Sequence, residues 1–178
     1  MRNRAWNAVR AWAGTAALAA AMAAGGGCAT YQVGSMLPED VNTVWVPTCQ
    51  NQTQEPFLEQ DVTSALMAAI QLDGSLKVAD EENADTVLRV VIKAFRLEPV
   101  GYAAGSANTT EEYRMKLTAS YVLQRTSDGT VVAENPSVSG WEDFEFTGDL
   151  TSSKAVALRP AAEDLGRRIV DAIVMYWP

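Results

Sequence analysis

The chain has 178 residues, with 14 Lys and Arg against 22 Asp and Glu, no histidine, and a formal net charge of −8. The absence of histidine excludes Ser-His-Asp triads, histidine metal sites and histidine proton shuttles together; no metal site and no cofactor are expected. So acidic a chain is not built to bind nucleic acid as a whole.

Residues 1–10 carry Arg2, Arg4 and Arg10 and no acid, and residues 11–24 are mostly alanine with Trp12, Leu18 and Met22. A positive flank before a short, weakly apolar run is the pattern of a secretory signal; a stable membrane span needs about 20 strongly apolar residues. The run ends in Ala23-Ala24-Gly25-Gly26-Gly27-Cys28-Ala29-Thr30. Small side chains fit the cleft of a signal peptidase, and a cysteine left first offers a thiol for a diacylglyceryl thioether. Residues 1–27 are therefore expected to be a lipoprotein signal peptide and Cys28 the lipid-attachment site, although Gly25 stands where leucine is usual, three before the cysteine. Two or three acyl chains anchor stably where one does not. Ala29 replaces the Asp that holds many lipoproteins at an inner membrane, which points to the periplasmic face of an outer membrane. Cleavage removes three arginines and no acid, taking the net charge from −8 to −11. The remaining residues 28–178 suffice for one periplasmic domain behind a tether over 28–40. With Cys28 acylated, Cys49 has no partner and reads as a buried small apolar residue; a Cys28–Cys49 disulfide is the alternative.

In chain order, Val41 to Pro47 is a β-branched and aromatic run closed by proline, hence a first strand. Thr48 to Glu55 is polar loop, and Pro56 suits the first turn of a helix. Leu58, Val62, Ala65, Leu66 and Ala69 recur at helical spacing until Gly74, with Glu59 and Asp61 favourably placed for the helix dipole. Leu76 to Ala79 is a short strand-like lead-in before the acidic loop Asp80-Glu81-Glu82-Asn83. Thr86 to Leu97 is the strongest strand, with Leu88, Val90, Ile92 and Ala94 alternating with Arg89, Val91, Lys93 and Phe95. Pro99 to Thr110 is loop. Tyr113 to Gln124 alternates again: Tyr113, Met115, Leu117, Ala119, Tyr121 and Leu123 on one face, Arg114, Lys116, Thr118, Ser120 and Gln124 on the other. Asp128-Gly129 is a hairpin turn. A fourth strand starts at Thr130, meets Pro136, which places it at an edge or breaks it, and resumes from Val138 to Phe146. A last helix spans about Thr151 to Tyr176 on the stripe Leu158, Ala162, Leu165, Ile169, Ala172, Ile173 and Tyr176, with Pro160 kinking it or marking its real start.

The order β-α-β-β-β-α, with two amphipathic helices and strands polar on one side, predicts an α+β two-layer sandwich. Two helices would pack on one face of a four-stranded, mostly antiparallel sheet. The other face would carry Arg89, Lys93, Arg114 and Lys116 beside Val91 and Phe95, a local reversal of sign suited to an anionic amphiphile. The alternative is that these four are solvated strand positions paired with Glu112, Glu142 or Glu145.

The sequence resembles the LptE family of lipopolysaccharide-assembly lipoproteins. The matching pieces are Cys28-Ala29-Thr30-Tyr31, Leu37-Pro38-Glu39-Asp40-Val41-Asn42-Thr43-Val44-Trp45-Val46-Pro47, Asn51-Gln52-Thr53-Gln54-Glu55-Pro56-Phe57-Leu58-Glu59, Ala84-Asp85-Thr86-Val87-Leu88 and the final amphipathic helix. The resemblance implies a non-catalytic, lipid-anchored outer-membrane protein that plugs and helps assemble a large β-barrel translocon (LptD-like). Together the two would place lipopolysaccharide in the outer leaflet. It further implies two helices on a four-stranded sheet and contact with lipopolysaccharide through basic residues of the sheet and its loops. Two other functions stay open. Glu142-Asp143-Phe144-Glu145 offers a carboxylate pair for glycoside cleavage, though neighbouring acids on a strand face opposite ways. A different periplasmic adaptor lipoprotein, activating a cell-wall synthase or piloting a secretin, has the same anchor and the same lack of catalytic groups.

Overall fold

The computed structural model describes residues 37–102 and 110–175. The expected signal peptide, Cys28, most of the tether, residues 103–109 and residues 176–178 lie outside them. The described elements are β1 (Thr43–Trp45), β2 (Gln50–Asn51), α1 (Leu58–Asp73), β3 (Lys77–Val78), β4 (Thr86–Tyr102), β5 (Thr110–Arg125), β6 (Val131–Glu145) and α2 (Leu150–Val174). The sheet order is β3-β1-β4-β5-β6, with β2 also on β4. β1 runs parallel to β3 and β4, and β2 parallel to β4; the long β4-β5 and β5-β6 pairs are antiparallel. The sheet is thus six-stranded and mixed, which corrects the four-stranded, mostly antiparallel expectation. The additional strands are two residues long, too short to leave an alternation in the sequence.

Two of the pieces behind the family resemblance, Ala84 to Leu88 and Asn51 to Glu59, do local structural work. The Asp85 carboxylate accepts from the backbone N–H of Asn42 (3.1 Å) and Thr43 (2.9 Å) and from the Thr43 hydroxyl (2.8 Å), and the Asp85 N–H donates back to Thr43 Oγ1 (2.8 Å). This bracket fixes the start of β1 on the start of β4. Asn51 Oδ1 accepts from the N–H and hydroxyl of Thr53, while its Nδ2 donates to the Glu55 carbonyl and the Glu59 carboxylate. The loop so closed aims Glu55 at Lys154 of α2, 2.8 and 2.9 Å from its two carboxylate oxygens. Phe57 then takes a left-handed turn (φ 64°) into α1, and Gly74 (φ 78°) ends the helix with its N–H on the Ile70 carbonyl.

The core lies between the helices and one face of the sheet. Leu58, Leu66 and Ile70 of α1 and Leu165, Ile169 and Ile173 of α2 bury against Leu88, Ile92, Met115, Leu117 and Leu123. Each such side chain contributes roughly 1.5–3 kcal/mol of transfer free energy. β5 follows the expected alternation residue for residue. α2 sits on β6 at Gly140, where an added Cβ would fall 2.3 Å from the Leu165 backbone nitrogen; only glycine permits that approach.

Other expectations shift. α2 begins at Leu150, capped by Asp149, and continues through Pro160; the proline neither starts nor ends it. β4 runs on past Leu97 and through Pro99 to Tyr102, where a loop was expected. β6 continues through Pro136 with a register shift opposite Tyr121, and as the last strand of the sheet it tolerates the missing N–H. Cys49 is buried, and burial raises its thiol pKa; Cys28, its alternative partner, is not described.

Candidate functional site

The face of the sheet away from the helices carries the cations, and the antiparallel register arranges them in rows, since directly paired residues share a face. Arg89 lies opposite Val122, and its Nη1 donates to Gln124 Oε1 at 2.6 Å. Lys93 sits at a bulge between Ile92 and Ala94, and its ammonium reaches across β5 to the Pro136 carbonyl of β6 at 3.2 Å. Arg114 lies between Glu98 and Asp143. It is bound in a two-pronged pair to Asp143, Nε to Oδ1 and Nη2 to Oδ2, both 2.7 Å. Hydrogen bonding from Arg114 holds the Asp143 carboxyl below its usual range, and the same bond raises the arginine. Lys116 lies between Arg96 and Trp141, with no ion pair among the described residues.

All four cations singled out from the sequence are therefore on one face, but they are not equivalent. Arg114 is neutralised by Asp143, a pairing that differs from the Glu112, Glu142 or Glu145 alternatives. The bulge at Lys93 also changes which neighbours they have. It reverses the phase of β4, so that Ala94 joins the open face while Phe95 pairs with Leu117 on the helix side, under Lys154 Nζ at 5.7 Å from its ring centre. The expected aromatic neighbour Phe95 is thus absent from the open face, and Arg96 takes the outward position. The signal for Arg96 was present in Phe95-Arg96-Leu97-Glu98, which alternates in the phase opposite to Arg89-Val90-Val91-Ile92.

The aromatic residue that does border this face is Trp141, 37% exposed. Its backbone N–H points off the sheet edge to Asp164 of α2 at 3.0 Å, Arg168 lies 3.8 Å above its ring, and Arg114 lies 5.8 Å from the ring centre on the other strand. Burial alone would raise the Asp164 carboxyl, but the Trp141 N–H, Arg168 and Arg167 outweigh it and hold it low. Both guanidiniums lie within cation–π range of the one indole, Arg168 much the nearer.

The acidic run Glu142 to Glu145 divides between faces. Asp143 pairs with Arg114, Glu145 lies opposite Glu112 at the far end of the open face, and Glu142 lies opposite Met115 on the helix side. Asp143 and Glu145 thus share the open face while Glu142 is turned from it, and Asp143 is already held by Arg114. Among the described residues no group of three acids or cysteines is placed to hold a metal ion, and no described helix is long and apolar enough to cross a membrane. A groove of about 440 Å³ runs between the helices over Ala65, Ala68, Ala69 and Leu72, with Asp61, Glu163, Arg159 and Arg167 also lining it.

No curated protein matches the chain. Among solved structures it is similar to protein XCC0632 from Xanthomonas campestris (13% identity, 78% of this chain and 87% of that one, TM-score 0.57). It is similar too to the protein CT253 from Chlamydia trachomatis (8% identity, 75% and 95%, TM-score 0.51). At such identities the likeness shows the fold alone. The family comparison reaches further, since residues 41–173 match LptE, lipopolysaccharide-assembly. That span runs from the residue before the Asn42–Asp85 bracket to the last buried residue of α2, taking in all the strands, α1 and all but the last residue of α2, so the protein belongs to the LptE lipopolysaccharide-assembly family.

Proposed function

We propose that the protein is an outer-membrane lipoprotein, cleaved after Gly27 and acylated at Cys28, that partners and plugs a β-barrel translocon from the periplasmic side. In this reading it catalyses no bond change. It presents the open face of its sheet, with Arg89, Lys93, Arg114 and Lys116, to lipopolysaccharide on its way to the outer leaflet. The observation that carries the reading is the family match across residues 41–173. The sign reversal on the open face of an otherwise acidic domain supports the lipid contact. A rigid two-layer wedge also suits a wide barrel, whose lumen its own side chains cannot fill.

The test is to express the full-length chain in a host with an outer membrane and identify what co-purifies after detergent extraction. A lipopolysaccharide-exporting β-barrel is the expected companion, and Cys28→Ala is expected to move the protein into the soluble periplasmic fraction. Recovery of a cell-wall synthase or a secretin in place of the barrel would establish the adaptor alternative.

A further inference from the structure

β6 ends the sheet, with β5 on one side and no described strand on the other. Two bonds fix the direction of its backbone groups. The Trp141 N–H leaves the sheet for the Asp164 carboxylate at 3.0 Å, and the Phe146 N–H turns back to the Glu111 carbonyl of β5 at 2.8 Å. Alternate residues of an antiparallel edge strand face opposite sides, so Asp143 and Glu145 direct their N–H and C=O groups outward as Trp141 does. Among the described residues no hydrogen bond takes up those groups. An edge of this kind is a template for another strand, and folds commonly blunt it. Here Pro136 interrupts the first half of β6, Asp164 caps its middle, and Pro99 with the bulge beyond it interrupts the far part of β4. The stretch from Asp143 to Glu145 keeps its outward groups. It is long enough to pair, since β2 already joins β4 through Gln50 and Asn51.

The side chains around this stretch differ between the two faces. On the open face Glu145 lies directly opposite Glu112, with neither in an ion pair among the described residues. Gly101, Glu111, Glu112, Glu145 and Phe146 line a concavity of about 510 Å³ there. On the helix side Phe144 stacks on Tyr113 with ring centres 5.9 Å apart, and Phe146 stands edge-on to Tyr113 at 6.4 Å. Phe146 and the neighbouring Leu150 are each 38% exposed.

We propose that the Asp143–Glu145 edge receives an extended segment of a protein partner, alternately basic and apolar, as a further antiparallel strand. The residue opposite Glu145 falls on the open face, where a cation meets both Glu145 and Glu112. Like charges directly opposite each other destabilise a sheet, and that cation replaces their repulsion with attraction. The residue opposite Phe144 falls on the aromatic side, where an aliphatic side chain covers exposed ring. A second copy of this chain is the wrong occupant. Antiparallel pairing through the uncapped residues would set Asp143 and Glu145 against the same acids of the other copy. The site goes beyond the lipid contact proposed above and uses none of its four cations.

The probe is a labelled peptide alternating arginine and isoleucine, titrated by fluorescence anisotropy onto the full-length chain in detergent. Its block isomer, with all arginines before all isoleucines, controls for plain attraction to an acidic protein. The alternating peptide is expected to bind tighter by about tenfold or more, the worth of two ordinary hydrogen bonds. In an antiparallel pair the arginine amides face β6, so methylating their nitrogens is expected to abolish the preference and methylating the isoleucine amides to leave it. Glu145→Pro removes an outward donor but no bond to β5, and is expected to lose the preference with little change in melting temperature. Glu145→Ala keeps the donor, and is expected to bind more weakly while still telling the methylated peptides apart. Equal binding of the alternating peptide and its block isomer, or indifference to which amides are methylated, would overturn the site. So would a dimer of the unaltered chain that Glu145→Pro dissolves, which would give the edge to a second copy.

Discussion

Asp85 is a small side chain with three donors on it, and they set how the domain responds to acid. The Thr43 hydroxyl first, then the Asn42 and Thr43 N–H groups, stabilise its ionised form and lower its pKa. Asp149, bound by Ser152 and the first turn of α2, and Asp143 under Arg114 are lowered in the same direction. A folded-state pKa below the unfolded value means that the unfolded chain binds more protons, so stability rises with pH through that interval. The contribution is complete above the ordinary aspartate value, about 3.9, and is lost as pH falls through the lower folded values. Melting temperature should therefore be level above about pH 5 and drop steeply below about pH 4, followed by circular dichroism. Asp85→Asn should lower the plateau and flatten the acid limb; an unchanged limb would show the bracket to be energetically idle. The sequence marked Ala84-Asp85 as a motif but not its partner, because the Asn42–Asp85 contact spans 43 residues. Gly140 was less legible still. Its need for no side chain arises wholly from the Leu165 backbone of another element.

Elements were legible in proportion to their length. The helices and the β4-β5-β6 meander carry enough residues to show a period, and the buried faces of β5 and both helices follow it. β1, β2 and β3 do not, and their parallel pairing depends on loops rather than on alternation. The bulge at Lys93 is a different kind of failure: one inserted residue reverses every later side chain on the strand, which moved Phe95 inward and Arg96 outward without altering composition. Pro160 is the remaining misfit, an interior proline in α2. Its missing N–H leaves the Val156 carbonyl without its helical donor; Val156 is 78% exposed, so water can serve that oxygen. Pro160→Ala would restore the bond. An interior proline costs about 3 kcal/mol, while loss of its restraint on the unfolded chain returns about 0.4–1 kcal/mol. A net gain of about 2 kcal/mol is expected in urea unfolding. A loss would show that the restraint Pro160 places on the chain is worth more than the hydrogen bond it removes.

At the scale of the whole molecule two fields oppose each other, and salt separates them. The expected mature chain carries a net charge of −11 once Arg2, Arg4 and Arg10 are removed, so at a distance it repels any anionic ligand. At contact the open face presents Arg89, Lys93, Arg96 and Lys116, of which Arg96 and Lys116 face no acid in their row. The long-range repulsion is screened first, because the Debye length falls from about 30 Å at 0.01 M to about 10 Å at 0.1 M, while contacts a few ångströms long are screened much less. The association rate with phosphorylated lipopolysaccharide should therefore rise, by roughly two- to tenfold, as salt increases from about 0.01 to 0.15 M. The dissociation rate should rise mainly at higher salt, where the contacts themselves weaken. Neutralising Arg96 and Lys116 should raise the dissociation rate and leave the early rise in association in place, since two charges scarcely alter the far field of so acidic a domain. Stopped-flow measurement at a series of salt concentrations checks both limbs. An association rate that falls from the lowest salt upward would mean that the cationic face governs approach as well as contact, so that the acid excess on the rest of the surface leaves its field unopposed.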